Sequence, residues 1–210
     1  MENNCILPAP VPLMGPAALM YDADVVPATA TLLELLRRRR SARAFDGRGL
    51  SAHQLSSLLW AAWGNNCGDG RQRTAPSSRD RQVIDIYVAL AEGAFRFDAR
   101  RLLLAPVSAQ DLRAATGMQE FAASAPVNLV YVASLDGDDD GAGRFEQKLA
   151  AAADLGFISQ NVYLLCAAEG LATVVRDAFD RPALAAALGL APAQWIVATQ
   201  SVGYPAAGDA

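Results

Sequence analysis

The spacing of hydrophobic residues predicts two amphipathic helices in the first third of the chain. The first begins at the capping-box pattern Thr31–Glu34, and the second begins at Ser51 and continues to about Trp63. The predicted inward face of the first helix consists of Leu32, Leu35 and Leu36. The predicted inward face of the second helix consists of Leu55, Leu58 and Leu59. Glycines and asparagines over residues 64–70 end the second helix.

Runs of β-branched and aromatic residues predict the strands. Residues 83–90 and 94–98 form a hairpin, and a helix cap at Ser108 predicts a short helix after it. Further strands are predicted at residues 126–133 and 195–204, with a long helix, a short strand and another helix between them. This order predicts an α+β fold, with three α/β/α layers around a mixed, largely antiparallel sheet.

The longest predicted helix covers residues 145–169 and is apolar on nearly all sides. Asp154 is the only formal charge between Leu149 and Ala168. A helix of this composition must be buried all round. A membrane span is disfavoured, because polar side chains interrupt the apolar run at Asp154, Ser159, Gln160 and Asn161. We therefore expect the helix to lie beneath the sheet or at a subunit interface, where a two-fold axis would pair it with its own copy.

Composition favours one cytoplasmic enzyme domain. The first 25 residues contain four prolines and neither lysine nor arginine, which predicts an extended arm over residues 1–28 rather than a secretory signal. A single domain then covers residues 29–210. Residues 1–101 carry 13 arginines and 10 acidic residues in a chain of net charge −4, a balance that disfavours nucleic-acid binding.

The cysteines and the histidine give no sign of a metal or of nucleophilic catalysis. Cys5, Cys67 and Cys166 are odd in number and lack the spacing of metal ligands, so a disulfide framework is disfavoured and a reducing compartment is favoured. His53 is the only histidine, and a Ser-His-Asp scheme needs partners that this chain does not offer. We expect no metal site.

A cluster of arginines follows the first predicted helix directly. The segment Arg37–Phe45 contains five arginines and Ser41 at a helix-to-loop junction. Guanidinium groups bind phosphate oxygens bidentately, and a serine hydroxyl adds a short neutral donor. A solvated basic helix end is the alternative, since cations also stabilise the negative end of a helix. The pattern Ser41-x-Arg43-x-Phe45 and a second polar patch at Thr74–Ser78 favour the phosphate site.

Four motifs in the same order resemble the nitroreductase family of FMN-dependent oxidoreductases, over roughly residues 29–205. Residues 39–45 resemble the family's phosphate-binding Arg-Arg-Ser-x-Arg-x-Phe element. Residues 75–82 resemble its Pro-Ser-Ser-x-Asn-x-Gln loop beside the flavin. Residues 156–173 resemble its helix ending in Gly-Leu-Gly-Thr, and residues 202–205 resemble its final strand.

The resemblance implies a homodimer with flavin sites at the subunit interface. NADH or NADPH would supply hydride to flavin N5, and a nitroaromatic, quinone or similar small molecule would accept it by ping-pong turnover. No side chain is thereby assigned as a catalytic acid or base. FMN is favoured over FAD because no Gly-x-Gly-x-x-Gly fingerprint is present. The implied cofactor-binding residues are Arg39, Arg40, Ser41, Arg43, Pro76, Ser77, Ser78, Gln82, Thr173, Val174, Val175 and Arg176.

Departures from the family pattern leave two alternatives open. Asp80 stands where the family often has Asn, and residues 206–210 contain no basic residue of the kind that completes the family's phosphate site. That charge would come from Arg39, Arg40, Arg43 or Arg176. The run Leu58–Asn66 and a short lid resemble the branch that oxidises azoline rings in modified peptides. The alternative from another class is a flavin-binding carrier or sensor without turnover.

Overall fold

The computed structural model describes residues 7–14, 30–66, 72–135 and 141–207. Cys5, Cys67 and most of the acidic loop after residue 135 lie outside these ranges. The described helices are α1 (Leu32–Arg38), α2 (Ala52–Trp63), α3 (Phe121–Ser124), α4 (Ala142–Glu169) and α5 (Arg181–Ala187), with 3₁₀ turns at Ser78–Asp80 and Ala114–Thr116. The strands are β1 (Val11–Pro12), β2 (Ile84–Leu90), β3 (Gly93–Asp98), β4 (Leu103–Ser108), β5 (Val127–Ser134), β6 (Ala172–Arg176) and β7 (Gln194–Gly203).

One seven-stranded sheet organises the described chain, in the order β1-β4-β3-β2-β5-β7-β6. Every pairing between these strands is antiparallel. Helices α2 and α4 pack on one face through the main hydrophobic core. A smaller core on the other face includes Leu112, Phe179, Leu184 and Leu188. The predicted fold class, α+β with helical layers on both sides of a sheet, is confirmed.

The second predicted helix forms as expected. Ser51 caps α2 with a complete capping box, and Leu55, Leu58 and Leu59 are buried. The hairpin of β2 and β3 also forms, with Leu90 paired to Gly93. At the start of the chain, β1 pairs with β4 at the edge of the sheet, and the backbone N–H of Met14 donates to Ser56.

The structure differs from the sequence prediction at α1 and β4. The capping box at Thr31 forms, but no residue of α1 is buried, and Leu32 and Leu36 are 60% and 46% exposed. The amphipathic pattern correctly predicted a helix, yet the described residues leave most of its apolar face exposed. Strand β4 was missed because Pro106 interrupts its pattern, and Ser108 ends this strand instead of capping a helix.

Helix α4 is buried on one face only. Its buried face includes Ala151, Asp154, Leu155, Ile158, Val162 and Cys166. Phe145, Leu149 and Phe157 are 68%, 61% and 49% exposed on the other side. The helix is long and apolar enough to cross a membrane by length and composition, but it packs along the sheet as a core helix. We expected α4 to be enclosed on all sides. The described chain buries one face of the helix and leaves the other exposed.

Candidate functional site

A cleft of about 370 Å³ lies between the segment that follows α1 and the end of α4. We call residues Arg37–Phe45 the arginine loop; its first two residues are the last two of α1, and the rest follow the helix. The cleft brings together this loop, the last turns of α4, the start of β6 and the residue after the final strand. Its lining includes Arg38, Arg40, Ala42, Tyr163, Cys166, Thr173 and Pro205. Among the described residues that line the cleft, the two charged side chains are Arg38 and Arg40.

The arginine loop is held in an extended conformation by backbone contacts and one aromatic anchor. The N–H of Ala42 donates to the carbonyl of Thr173 at 3.0 Å, on the outer edge of β6. Phe45 is buried against Ala125, Ala172 and Val174, and it forms a bridge with Pro205. These contacts explain why an aromatic residue ends the motif: Phe45 fixes the loop against the sheet and leaves the basic side chains outside.

The arginines predicted to bind the cofactor lie in different surroundings. Arg40 lines the cleft, and the other lining arginine is Arg38, which was not among the predicted residues. The Arg39 guanidinium lies 5.3 Å from the centroid of the Tyr163 ring. Ser41 Oγ lies 2.8 Å from the Tyr163 hydroxyl. Arg43 is exposed and does not line the cleft of a single chain.

The Ser77 loop, residues 76–82, is attached to α4 through a buried carboxylate. Ser77 Oγ donates to Asp154 Oδ2 at 2.7 Å, and the N–H of Ser78 donates to Oδ1 at 2.8 Å. Asp154 is 1% exposed. A buried charge in an otherwise apolar helix needs such partners. Pro76, before these serines, is exposed.

The backbone of the Ser77 loop is strained. Arg79, Asp80 and Gln82 have φ values of 54°, 52° and 50°, in the left-handed region that side chains with a Cβ rarely adopt. The N–H of Gln82 donates to Ser77 Oγ at 2.8 Å. The Gln82 amide accepts from Arg73 and donates to Asp80. Gln82 was predicted to contact the cofactor, and in the structure its side chain bonds to Arg73 and Asp80 within this region.

The arginine loop and the Ser77 loop contact opposite sides of α4. Asp154, which holds the Ser77 loop, and Tyr163, which contacts Ser41, are about two and a half turns apart on one helix and therefore face opposite directions. One chain thus does not present both predicted halves of the cofactor site to one ligand.

Residues 173–176 separate into an accessible edge and a buried face. Thr173 lines the cleft, and the N–H of Val175 donates to the Tyr163 hydroxyl at 3.1 Å. Val174 is buried behind the strand with Phe45. The outer edge of β6 therefore faces the cleft, with its Thr173 carbonyl bonded to Ala42 and its Val175 N–H bonded to Tyr163.

Arg176 does not belong to the cleft, which corrects its assignment as a phosphate ligand. Its guanidinium is buried and donates to neutral acceptors on Thr116, Asn128 and Ser201. A Cβ at Gly117 would lie 1.7 Å from Nη1, so the glycine is required for this close approach. Desolvation lowers the pKa of Arg176 to about 10. Alternation along β6 places Val174 and Arg176 on one side and Thr173 on the other.

Glu169 is a buried carboxyl at the end of α4, beside the cleft-lining residues Ala168 and Gly170. Both of its oxygens are inaccessible and have no hydrogen-bond partner among the described residues. Burial raises its pKa to about 7. Gly170, with φ of 67°, ends the helix and turns the chain into β6.

We expect Glu169→Gln to stabilise the protein at pH 8 and to have little effect at pH 4. The folded pKa of about 7 lies above the ordinary 4.5, so the neutral carboxyl favours folding below pH 4.5, and this contribution is lost as the pH rises through 7. The gain at pH 8 should be about 1–2 kcal/mol, after allowance for partial solvent screening. Urea unfolding of the unaltered protein and of the variant at pH 4 and pH 8 measures this gain in unfolding free energy. An equal gain at the two pH values would contradict the raised pKa of Glu169.

Sequence reasoning missed three side chains that shape this region. Tyr163 was seen only as one more position of an apolar helix. Asp154 was noted as an isolated charge, but its partners in the Ser77 loop lie far away in sequence. The Asn161 amide donates to the carbonyls of Ala61 and Thr74 and so links α4 to α2 and to the segment before the Ser77 loop. A polar residue in an apolar helix was the available signal for the last two.

Comparison with known proteins gives one consistent family. The model of the nitroreductase family matches residues 36–204. A curated protein of Methanocaldococcus jannaschii, named as a nitroreductase, is 29% identical over 167 residues, which span 70% of this chain and 79% of that protein.

Solved structures agree with this assignment. A crystal structure from Ralstonia eutropha JMP134, also named as a nitroreductase, superposes with a TM-score of 0.79 at 36% identity and covers 95% of this chain and 96% of its own. A nitroreductase-family structure from Clostridium difficile 630 superposes with a TM-score of 0.61 at 16% identity, over 86% and 88% of the two chains. The second likeness is one of fold alone.

Proposed function

The chain belongs to the nitroreductase family, and we propose that it is an FMN-dependent oxidoreductase that takes hydride from NADH or NADPH and reduces a nitroaromatic, quinone or similar small acceptor. Family membership makes it an oxidoreductase of the flavin-using kind. The observation that carries the finer proposal is the cleft at the arginine loop, because its two cations and neutral donors suit a flavin phosphate. The proposed location is the cytoplasm.

The residues of the cleft fit the phosphate end of FMN. A phosphate monoester carries nearly two negative charges at neutral pH. Arg38 and Arg40 line the cleft, and Ser41 lies beside it. Guanidinium forks match phosphate oxygens in geometry and charge. These three residues would hold the phosphate, and Thr173 and the outer edge of β6 would lie along the rest of the cofactor.

We place the complete site between two copies of the chain. Within one chain, Ser77 and Ser78 contact the side of α4 that faces away from Tyr163. A second copy related by a two-fold axis would bring its own Ser77 loop to the cleft. Pro76, Ser77 and Ser78 are therefore proposed to serve the flavin of the partner subunit rather than their own.

The uncovered face of α4 supports this dimer. Phe145, Leu149 and Phe157 are half to two-thirds exposed, with small exposed residues between them at Ala152, Ala153 and Gly156. Leu32, Leu33 and Leu36 of α1, a helix that lies against α4, are exposed as well. Patches of this kind mark interaction sites, and small side chains let two helices approach closely. An obligate interface of this type should bury more than ~2,000 Å² in total.

The chemistry of such a site needs little from side chains. Bound FMN would supply the hydride-accepting and hydride-donating atom. The arginine loop would hold the phosphate, and Phe45 would fix that loop. Asp154 would position the Ser77 loop. Closing the site between two subunits would exclude water from the reacting face.

A second candidate is oxidation of azoline rings in a modified peptide. Between β4 and β5 the described chain contains only a 3₁₀ turn and the four-residue helix α3. No long helix from this connection covers the cleft, so an extended peptide could reach it. The two activities differ in direction, since the azoline substrate would reduce the flavin and the nitroaromatic would oxidise it.

The proposal predicts that the purified protein is yellow and that acid releases FMN rather than FAD. Anaerobic stopped-flow mixing with NADH or NADPH should bleach the flavin rapidly, and a panel of nitroaromatics and quinones should restore its colour. Flavin that remains oxidised with both nicotinamides but is bleached by an azoline peptide would favour the second candidate. Flavin that none of these reagents reduces would indicate a carrier or sensor, and stoichiometric FAD would contradict the cofactor assignment.

A further inference from the structure

The connection between β4 and β5 is attached to the sheet by buried polar contacts. We call residues 114–124 of this connection the strap; they include the second 3₁₀ turn and α3. The carbonyl of Thr116, a fully buried residue, accepts from Arg176 Nη1 at 3.1 Å and from Thr199 Oγ1 at 2.8 Å. The Asn128 amide donates to a carbonyl of α3 at 2.9 Å. Side chains from β5, β6 and β7 therefore hold the strap in place.

Arg176 brings a positive charge into these contacts that hydrogen bonding alone does not require. It is 6% exposed, and its acceptors on Thr116, Asn128 and Ser201 are neutral. The Thr116 carbonyl keeps Thr199 as a donor without Arg176, and the Asn128 side-chain carbonyl keeps Ser201. Arg176 Nε is buried with no hydrogen-bond partner among the described residues. A buried cation with neutral partners is unfavourable for stability, which points to a role in positioning.

The backbone of the strap is fitted closely to the Arg176 guanidinium. Gly117 approaches this group so closely that a Cβ at Gly117 would overlap Nη1. At the start of α3, the centroid of the Phe121 ring lies 5.4 Å from Arg176 Cζ, which is the geometry of a cation–π contact. Met118 lies between these two contacts in the sequence. The position of Met118 therefore depends on Arg176.

Met118 presents a large apolar side chain at the end of β6. Its N–H donates at 2.9 Å to the carbonyl of Ala178, just beyond the strand, and the residue is 80% exposed. Thr173, which lines the cleft, lies about 10 Å along the strand from Arg176, at the rise of a β-strand. One end of β6 therefore meets the cleft, and the other end meets Met118.

We propose that Met118 contacts the ring of an aromatic acceptor and that Arg176 is the positioning residue that holds Met118 in this place. The inference rests on the proposed function, in which the phosphate binds at the arginine loop and the rest of the cofactor lies along β6. The ribityl chain separates the flavin ring from the phosphate, so the ring and its acceptor lie toward the strap. A methionine thioether packs favourably against aromatic rings and adapts to rings of different shape. This contact favours nitroaromatic and quinone acceptors over small inorganic oxidants.

The first experiment measures flavin reoxidation in Met118→Ala by anaerobic stopped-flow mixing, after reduction with dithionite. The half-saturating concentrations of nitrobenzene and p-benzoquinone should rise about threefold to tenfold, the size expected for a sulfur–aromatic contact. The limiting rate should change by less than about twofold. Reoxidation by ferricyanide, which has no aromatic ring, should be unaffected. Leu7→Ala is the matched control, because Leu7 is 49% exposed near β1, at the opposite edge of the sheet from β6.

The second experiment tests Arg176 by hydrogen–deuterium exchange, on the full-length protein with and without flavin. Arg176→Met should fold, because the Thr116 and Asn128 carbonyls each keep another donor. Amides of the strap should exchange about tenfold faster, as expected for the loss of a hydrogen bond to a charged group. The hairpin of β2 and β3 is the internal control and should exchange as before. The variant should also reproduce the acceptor loss of Met118→Ala, and the double variant should lose little more.

Unchanged exchange of the strap in Arg176→Met would overturn the positioning role. Equal losses with ferricyanide and with the aromatic acceptors in Met118→Ala would overturn the ring contact, and so would unchanged half-saturating concentrations. If the unaltered protein binds no flavin, the proposed function fails, and the role of Met118 toward an acceptor fails with it. The exchange experiment on the flavin-free protein then still decides whether Arg176 positions the strap.

Discussion

Replacing Phe157 with glutamate is expected to give a folded monomer that does not retain FMN. Phe157 is 49% exposed on the uncovered face of α4, so a single chain tolerates a charge there. In the proposed dimer the same carboxylate would be buried between two apolar helices, where an unpaired charge is strongly unfavourable. Loss of the dimer removes the partner's Ser77 loop from the cleft, and we expect FMN affinity to fall by about 100-fold or more, the equivalent of two lost charge-assisted contacts.

Neighbouring positions provide the controls for this experiment. Ile158 is 0% exposed and belongs to the main core, so Ile158→Glu should unfold the chain instead of dissociating it. Ala186 is exposed on α5, which packs on the other face of the sheet, and Ala186→Glu should remain dimeric and yellow. Light scattering and circular dichroism separate these outcomes. A dimeric, FMN-loaded Phe157→Glu protein would contradict the proposed interface.

Removing the two arginines that line the cleft is expected to abolish discrimination between FMN and riboflavin. Arg38→Ala and Arg40→Ala should each cost about 1.5–3 kcal/mol of FMN binding free energy, and the double variant about 3 kcal/mol or more. Riboflavin has no phosphate and should bind nearly as before. Isothermal titration of both flavins against the double variant measures the difference.

The remaining arginines test how the arginine loop is oriented. Arg37 is exposed and does not line the cleft, so Arg37→Ala should leave FMN affinity nearly unchanged. Arg39 and Arg43 were expected from the sequence to be ligands, together with Arg40. In the structure, the Arg39 guanidinium stacks on Tyr163, and Arg43 is exposed outside the cleft. Replacing either with alanine should therefore weaken FMN binding less than Arg40→Ala. Equal losses at all of these positions would indicate a diffuse basic surface rather than a phosphate site.

Local sequence signals predicted most of the fold, because the elements concerned carry their own caps and periodicity. Helix α2 shows this clearly: Ser51 and Gln54 define its start, and three leucines define its buried face. Strand β4 was missed because Pro106 interrupts its pattern and pairing with β3 supplies the missing stability. The burial of α1 was predicted wrongly, because periodicity shows which face of a helix is apolar but not whether another element covers it; no residue of α1 is buried in the described structure.

The candidate site could be predicted only in part, since its geometry depends on contacts distant in sequence. The arginine motif and the Ser77 loop were evident from their residue types. Two contacts could not be predicted, because they depend on how α4 crosses the sheet. Tyr163 contacts Ser41, and Asp154 accepts a hydrogen bond from Ser77. Arg176 was misassigned because a basic residue near a phosphate motif suggests a ligand, whereas strand alternation turns its side chain toward Thr116 and Asn128.

The most direct test of the account is the mass and flavin content of the unaltered protein in one experiment. Size-exclusion chromatography with light scattering and absorbance near 450 nm should give a dimer of the 22.1 kDa chain with one FMN per chain. The shared site requires both results together. A monomer that retains FMN at full occupancy would contradict it, because one chain would then hold the cofactor without the partner's Ser77 loop.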